Sequence, residues 1–469
     1  MMNTILKMAL VALLAFFVAA SITWNANGKT GPQGIDVSTK ADTTQGTDLV
    51  GIERFLEMLN DDPVLLRNNL AQIETNWNAS YVSMLLDVYR FLPPRERALV
   101  TGLLQSKTGN EFGNDYNRWI QWSWEQDVEQ HPQYADFKST LYSRIDPRFG
   151  EYFEETDDAT IRLDEIRWGG VVRDGIPPLK NPKMLTADQA NYLADTDVVF
   201  GIELNGDARA YPKRILAWHE MFKDTIGGES FCGVYGTLCV ALIVSQIEFE
   251  GIHYELGTSG FLYRSNKLMY DHGTKSFWST LQGEPVVGPL VGKGIKLEQR
   301  YLVTTTWGEW KARHPDTTAL SLNTGHLRDY GEGVAYRDYF GTDELMFTVP
   351  KIDTRLLNKD QVLVFRNETE QLAIAIKYLA QKRVHHDSIG EQNIVVLADD
   401  DGTSRAFEVG EIKFESWNGV DMAIDTSGQQ WKVLEDSLVA NGNKLNRMPS
   451  HNAFWFGWVA QFPETRLVK

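Results

Sequence analysis

The chain predicts an α+β protein, a helical-hairpin domain followed by an internally duplicated β-rich domain. Three observations carry this. Apolar residues recur at helical spacing from Leu49 to about Tyr152. From about Ile161 the texture changes to short β-branched runs broken by Gly, Pro, Asn and Asp. In that second part, two sets of residues recur in order at constant offsets. Leu297, Trp307, Trp310, Ala312, Pro315 and Thr317 return 148 positions later as Leu445, Trp455, Trp458, Ala460, Pro463 and Thr465. Ala210, Leu216, Ala217, Asp224, Ile226 and Gly227 return 163 positions later as Ala373, Leu379, Ala380, Asp387, Ile389 and Gly390. Constant offsets with matched order imply duplication. The expected division is helical over 49–155, first copy over 160–345 and second copy over 346–469.

The N-terminus comes before any of these. Lys7, the apolar run Met8–Ala20 and the small residues Val18-Ala19-Ala20 fit a secretory signal or an N-terminal anchor over 1–27. Residues 28–48 are rich in Gly, Thr, Ser and Asp and read as a flexible linker. The expected location is therefore extracytoplasmic, periplasmic, secreted or anchored by residues 5–22, with the membrane met only through that segment. A net charge of −17 without a long basic run argues against a nucleic-acid partner.

Within the helical part, Asp62-Pro63 is an N-cap with proline at the first helical position, opening Val64–Ile73. Asn78 is placed to cap Ala79–Leu92, and Pro93-Pro94 ends that helix and starts Arg95–Gln105. A further helix near Tyr116–Glu129 carries Trp119, Trp122 and Trp124, which read as core. In the β-rich part, Val198–Leu204, Asn205-Gly206 and Ala208–Tyr211 form a strand, turn and strand, followed by a short helix near Lys213–Phe222. Ile394–Ala398 and Thr403–Glu408 flank the corresponding hairpin of the second copy. The paired tryptophans stand at i, i+3, on one face of a helix, and both copies keep them, so they read as structural. The duplication predicts that Asp197–Trp310 and Asp360–Trp458 are similar folds.

The second copy is an internal control. His219-Glu220 becomes Lys382-Arg383, Cys239 becomes Gly402 at the hairpin tip, and the falling offset gives the first copy about fifteen extra residues around Gly257–Lys267. His219 and Glu220 are candidate acid–base groups, with Cys239 a third candidate. Ser259, Arg264, Ser265, Asn266 and Asp271 are candidate ligand-binding residues, Arg264 for a bidentate anion. His219 and Cys239 are the metal candidates, without zinc-type spacing. Cys232 and Cys239 read either as a disulfide or as free thiols. His385, His386 and His451 read as surface or turn residues of the second copy. No cofactor follows from any motif. The candidate partners are a small polar or anionic ligand, or a protein docking on the helical domain.

At these same residues the chain resembles the prokaryotic family catalogued as domain of unknown function 3179. The matching segments are Ile161–Ile166 with Trp168-Gly-Gly, Asp174–Leu179, Asn205–Pro212, Trp218-His-Glu220, Gly257–Asp271 and Phe454–Trp458. The resemblance implies a Tyr-Cys-x-Leu-Cys-Gly-Thr motif where this chain has Tyr235-Gly236-Thr237-Leu238-Cys239-Val240-Ala241. The first cysteine of that CxxC pair is Gly236 here, so the pair is broken. The resemblance implies an extracytoplasmic β-rich architecture and supplies no reaction. Two readings remain: one ligand or metal site in the first copy, or a non-catalytic surface binding or assembly module.

Overall fold

The computed structural model describes residues 49–469, so the expected signal or anchor and the linker lie outside the described residues. The chain divides into two compact units, one holding residues 49–114 with 128–131, the other Asp115–Asp127 with Pro132–Lys469. The first unit is helical. Asp62 accepts hydrogen bonds from the Val64 and Leu65 N–H groups and opens α2 (Pro63–Thr75), which follows α1 (Ile52–Glu57). The helix expected from Ala79 begins two residues later as α3 (Tyr81–Tyr89), because the Asn78 side chain takes the Ser80 N–H in a turn. Gly109, at φ +74°, ends α4 (Pro94–Thr108) in the left-handed conformation open to glycine. The core of this unit includes Phe55, Tyr81, Leu85 and Leu104, with Tyr81 edge-on to Phe55 at 5.4 Å.

The second unit begins with two helices, α5 (Tyr116–Glu125) and α6 (Tyr134–Ser143). Helix α5 stops four residues short of the expected end, and α6 lies within the stretch expected to be helical, where no separate helix had been delimited. Trp119 and Trp124 are buried, and Trp124 donates to the Asp164 carbonyl at 3.2 Å. These helices thus belong with the β-rich body, and the compact helical unit ends before residue 155.

The first copy then runs β1 (Val198–Leu204), β2 (Asp207–Pro212), α7 (Lys213–His219), β3 (Met221–Ile226), β4 (Glu229–Gly236) and β5 (Ala241–Gln246). An inserted sheet containing β6 (Leu256–Tyr263) and β7 (Asn266–Asp271) follows, then β8 (Val303–Thr306), α8 (Trp307–Arg313) and β9 (Thr318–Leu320). The second copy repeats this as β10 (Gln361–Arg366), β11 (Gln371–Ala375), α9 (Ile376–Lys382), β12 (Val384–Ile389), β13 (Gln392–Ala398) and β14 (Ser404–Glu408). A different inserted sheet beginning with β15 (Phe414–Trp417) leads to β16 (His451–Phe454), α10 (Trp455–Val459) and β17 (Arg466–Val468).

The registers match residue for residue. Gly201 faces Ala210 and Val303 in one copy, and Val364 faces Ala373 and His451 in the other. Both copies close with a parallel pairing, Ala319 to Ala210 and Leu467 to Ala373. Trp310 donates its indole N–H to Thr317 Oγ1 at 2.8 Å, and Trp458 donates to Thr465 Oγ1 at 3.0 Å. Even an exchanged residue keeps its role. Asp207 and Asp224 are clamped by Arg209 on β2, whereas their equivalents Glu370 and Asp387 are clamped by Arg466 from the neighbouring β17.

The copies differ in what they insert and in how each grips the other. The extra residues of the first copy are no loop: Gly257–Lys267 is β6, a turn at Arg264-Ser265 and the start of β7. That sheet has the strand order 166–168, β6, β7, 277–279, 284–287, whereas the second copy inserts a five-stranded meander over 414–446. The β4–β5 hairpin of the first copy docks on α10, with the Phe454 N–H donating to the Cys239 carbonyl at 2.7 Å. Reciprocally, Thr403 of the β13–β14 hairpin donates to Glu309 on α8 at 3.4 Å. Phe200, Tyr211 and Tyr235 of one copy share a single core with Trp455, Phe456 and Trp458 of the other.

Candidate functional site

Helix α7 ends where Glu220 turns into the left-handed region at φ +55°, and α9 also ends on a residue of positive φ, Arg383 at +61°. The two ends are otherwise unlike. His219 is fully buried, and both ring nitrogens are used. Nδ1–H donates to the Pro177 carbonyl at 2.9 Å, and Nε2 accepts the Tyr330 hydroxyl at 2.6 Å, which in turn is 2.7 Å from Thr324 Oγ1. Burial drives its pKa down to about 4, against the Pro177 hydrogen bond, so the ring is neutral near pH 7. Glu220 forms a buried ion pair with Lys267 and accepts the Thr237 hydroxyl at 3.1 Å. The Tyr336 hydroxyl lies 3.5 Å from the same carboxylate. Tyr330 and Tyr336 come from the segment that follows β9, which seals this end of the helix.

Cys239 sits at the tip of the β4–β5 hairpin, and its thiol points at the Ser265 carbonyl at 3.5 Å. A Cβ built on Gly457 of α10 would lie 2.5 Å from that sulfur, so the thiol occupies the space a side chain would need there. Burial raises the pKa of both thiols, Cys232 to about 12 and Cys239 further, so both are protonated and unreactive. The two are free cysteines and no disulfide joins them; they belong to separate core clusters.

The expected ligand loop is likewise engaged. Arg264 chelates the buried Glu165 carboxylate and donates to the Ala460 carbonyl at 2.9 Å. Asn266 donates to the Gly457 carbonyl at 2.7 Å, and Ser265 to the Phe347 carbonyl at 2.9 Å. Ser259 donates to the Leu268 carbonyl across its own hairpin, and Asp271 caps the turn that follows β7 by accepting from the Gly273 and Thr274 N–H groups. Cys239, Arg264 and Asn266 therefore converge on residues 454–460 of the second copy. His219 and Glu220 instead meet the segment after β9.

His219 and Cys239 share no bonding partner, and no third metal ligand joins them. Among the described residues only Glu309, Asp399 and Asp401 bring three such groups within 4.8 Å of one another. Sequence reasoning missed Lys267, Thr237, Tyr330 and Tyr336, which complete the buried cluster. A lysine two residues beyond a turn and tyrosines in a long connection carry no local signal. It also placed the second-copy histidines wrongly. His385 and His451 are buried strand residues, His386 is half-buried, and an open cavity of about 690 Å³ lies beside Lys382 and Arg383.

Residues 173–465 match the family described as "Protein of unknown function (DUF3179)", and the chain belongs to that family. No curated protein and no solved structure matches. Among the described residues no helix is long and apolar enough to cross a membrane.

Proposed function

We propose that this is an exported, non-catalytic binding or assembly module, in which the residues unique to the first copy serve its internal architecture. The observation that carries this reading is the fate of Cys239, Arg264 and Asn266. All three bond to, or pack on, residues 454–460 of the second copy. A residue kept by only one copy is then explained by the neighbour it faces. His219 adds to this reading, since neither nitrogen is left for a metal or a substrate proton. Elemental analysis of purified full-length protein is expected to find no stoichiometric metal. A bound metal that His219→Ala or Cys239→Ala removes would overturn the reading.

A second reading, a degenerate two-cysteine site, is favoured by the space at Gly236. A Cβ there meets nothing closer than the Ala241 carbonyl at 3.7 Å. Gly236→Cys would restore the CxxC spacing with room for its Cβ, and a stoichiometric gain of zinc by that variant would favour this reading.

A further inference from the structure

The second copy holds a cavity that the functional reading above does not use. It lies between the C-terminal end of α9, strand β12 and strand β15. These two strands stand at the edges of separate sheets. Its volume, about 690 Å³, is in the usual range for small-ligand pockets, roughly 300–1,000 Å³. Lys382 and Arg383 stand at its wall, with Glu415 the one carboxylate lining it, so the lining is cationic in a chain whose net charge is −17. Phe414 and Trp417 supply apolar surface.

Behind the two cations runs a hydrogen-bonded chain. Asp387 is ionised: burial acts against that, but the Ser388 N–H, His385 and Arg466 outweigh it. Its carboxylate therefore accepts from His385 Nε2–H at 3.1 Å. The Tyr378 hydroxyl lies 3.2 Å from the other ring nitrogen, Nδ1. Arg466 fixes the far end of the chain at 2.9 Å from Asp387. A phenol held by a histidine that is itself held by a carboxylate is the kind of layered support that preorganises a binding site.

The first copy lacks the cations, the phenol and the imidazole. Ile215, His219, Glu220 and Phe222 stand where Tyr378, Lys382, Arg383 and His385 stand, and only the carboxylate and its arginine clamp persist, as Asp224 and Arg209. There the Tyr211 hydroxyl reaches Asp224 directly at 2.6 Å. Asp387 is thus shared scaffold, and His385, Tyr378, Lys382 and Arg383 are what the second copy adds to it. Arg383 has one ion-pair partner, Asp400, at 2.7 Å, but Asp400 is exposed and the pair is screened by solvent. Its Nε is buried without a hydrogen-bond partner.

We propose that this cavity binds a small oxyanion, a carboxylate or a phosphate monoester carrying an apolar body, with the anionic group between Lys382 and Arg383. Tyr378, held by His385, lines the wall beside them and offers its hydroxyl to the same anionic group. The apolar body lies against Trp417 and Phe414. This inference stands apart from the first-copy reading, since no residue is common to the two sites.

Isothermal titration of the full-length protein with phenyl phosphate and, separately, with benzoate tests it. One saturable site is expected for at least one probe, and the tighter of the two identifies the anionic group. Losing a charge-assisted hydrogen bond is expected to weaken that probe by about tenfold or more in Lys382→Gln and again in Arg383→Gln. Tyr378→Phe is expected to weaken it less. Lys413→Gln, an exposed cation that does not line the cavity, is the control and should bind as the parent does. Lys382 is exposed, so Lys382→Gln is expected to unfold at the parent's temperature. No saturable binding of either probe, or binding unchanged in the doubly substituted Lys382→Gln/Arg383→Gln protein, would overturn the proposal.

Discussion

The ends of α7 and α9 occupy equivalent places in the two copies and have opposite fates. At the first, the chain after β9 folds back and lays Tyr330 and Tyr336 over His219 and Glu220, leaving two polar groups sealed and bonded. At the second, Lys382 and Arg383 border an open cavity. The residues that look most like chemistry in the sequence are the ones the fold closes off. Those that look like a loss of chemistry are the ones it leaves accessible. A difference between duplicated copies therefore marks a difference in surroundings, and function is one cause of that among others.

The comparison can be broken most severely at what the copies share. Trp310→Ala and Trp458→Ala are each expected to cost about 3–5 kcal/mol, since both indoles are fully buried and both donate to an equivalent threonine. Urea unfolding measures this, and a loss confined to one copy would show that the two Trp-x-x-Trp elements are not equivalent. At the contact between copies, Arg264→Ala removes the chelating partner of Glu165, whose side chain is 1% exposed, and leaves it Arg162 at 3.7 Å. The cost expected for weakening the pairing of a buried charge is about 1–3 kcal/mol. A change below about 0.5 kcal/mol, the range of an unengaged surface residue, would return Arg264 to the list of ligand residues.

A milder effect sharpens the comparison, because burial keeps a histidine of each copy, His219 and His451, neutral. Burial lowers the pKa of His219 and of His451 to about 4. Below about pH 6.5 the unfolded chain takes up protons at these positions that the folded chain refuses. Stability present above that pH is thus lost as pH falls toward 4, by about 1.4 kcal/mol per pH unit for each histidine. Urea midpoints between pH 7 and 4.5 should show this slope, with His219→Gln reducing it. An unchanged slope in that variant would mean that His219 is not buried neutral.

The duplication was legible because buried tryptophans, glycines and turn residues must recur wherever the same backbone recurs. The constant offsets therefore located β1, α7, α8 and their equivalents. The inserts were not legible, since Gly257–Lys267 has the small polar residues of a loop yet pairs as β6 and β7. Helix α6 fell within the expected helical stretch but its bounds were not legible, because its buried face includes Lys138, which reads as a surface residue but donates to the Ile166 carbonyl at 2.9 Å. The candidate residues themselves were found, but their partners were not. Cys239 meets Gly457 and Arg264 meets Ala460 across about two hundred residues of sequence, and no local pattern encodes such pairs.

Cys239 and Gly457 also provide the most direct test that the first-copy residues clamp the two copies. Gly457→Ala places a methyl group 2.5 Å from the Cys239 sulfur and 2.7 Å from its Cβ. The expected cost is about 1–3 kcal/mol of overpacking. Cys239→Gly, which installs the residue the second copy carries, clears both atoms, and the next nearest atom is then the Cys239 Cα at 3.6 Å. A double-mutant cycle on urea stability should therefore show Gly457→Ala costing at least about 1 kcal/mol less in the Cys239→Gly background. Strict additivity of the two substitutions would contradict the clamp.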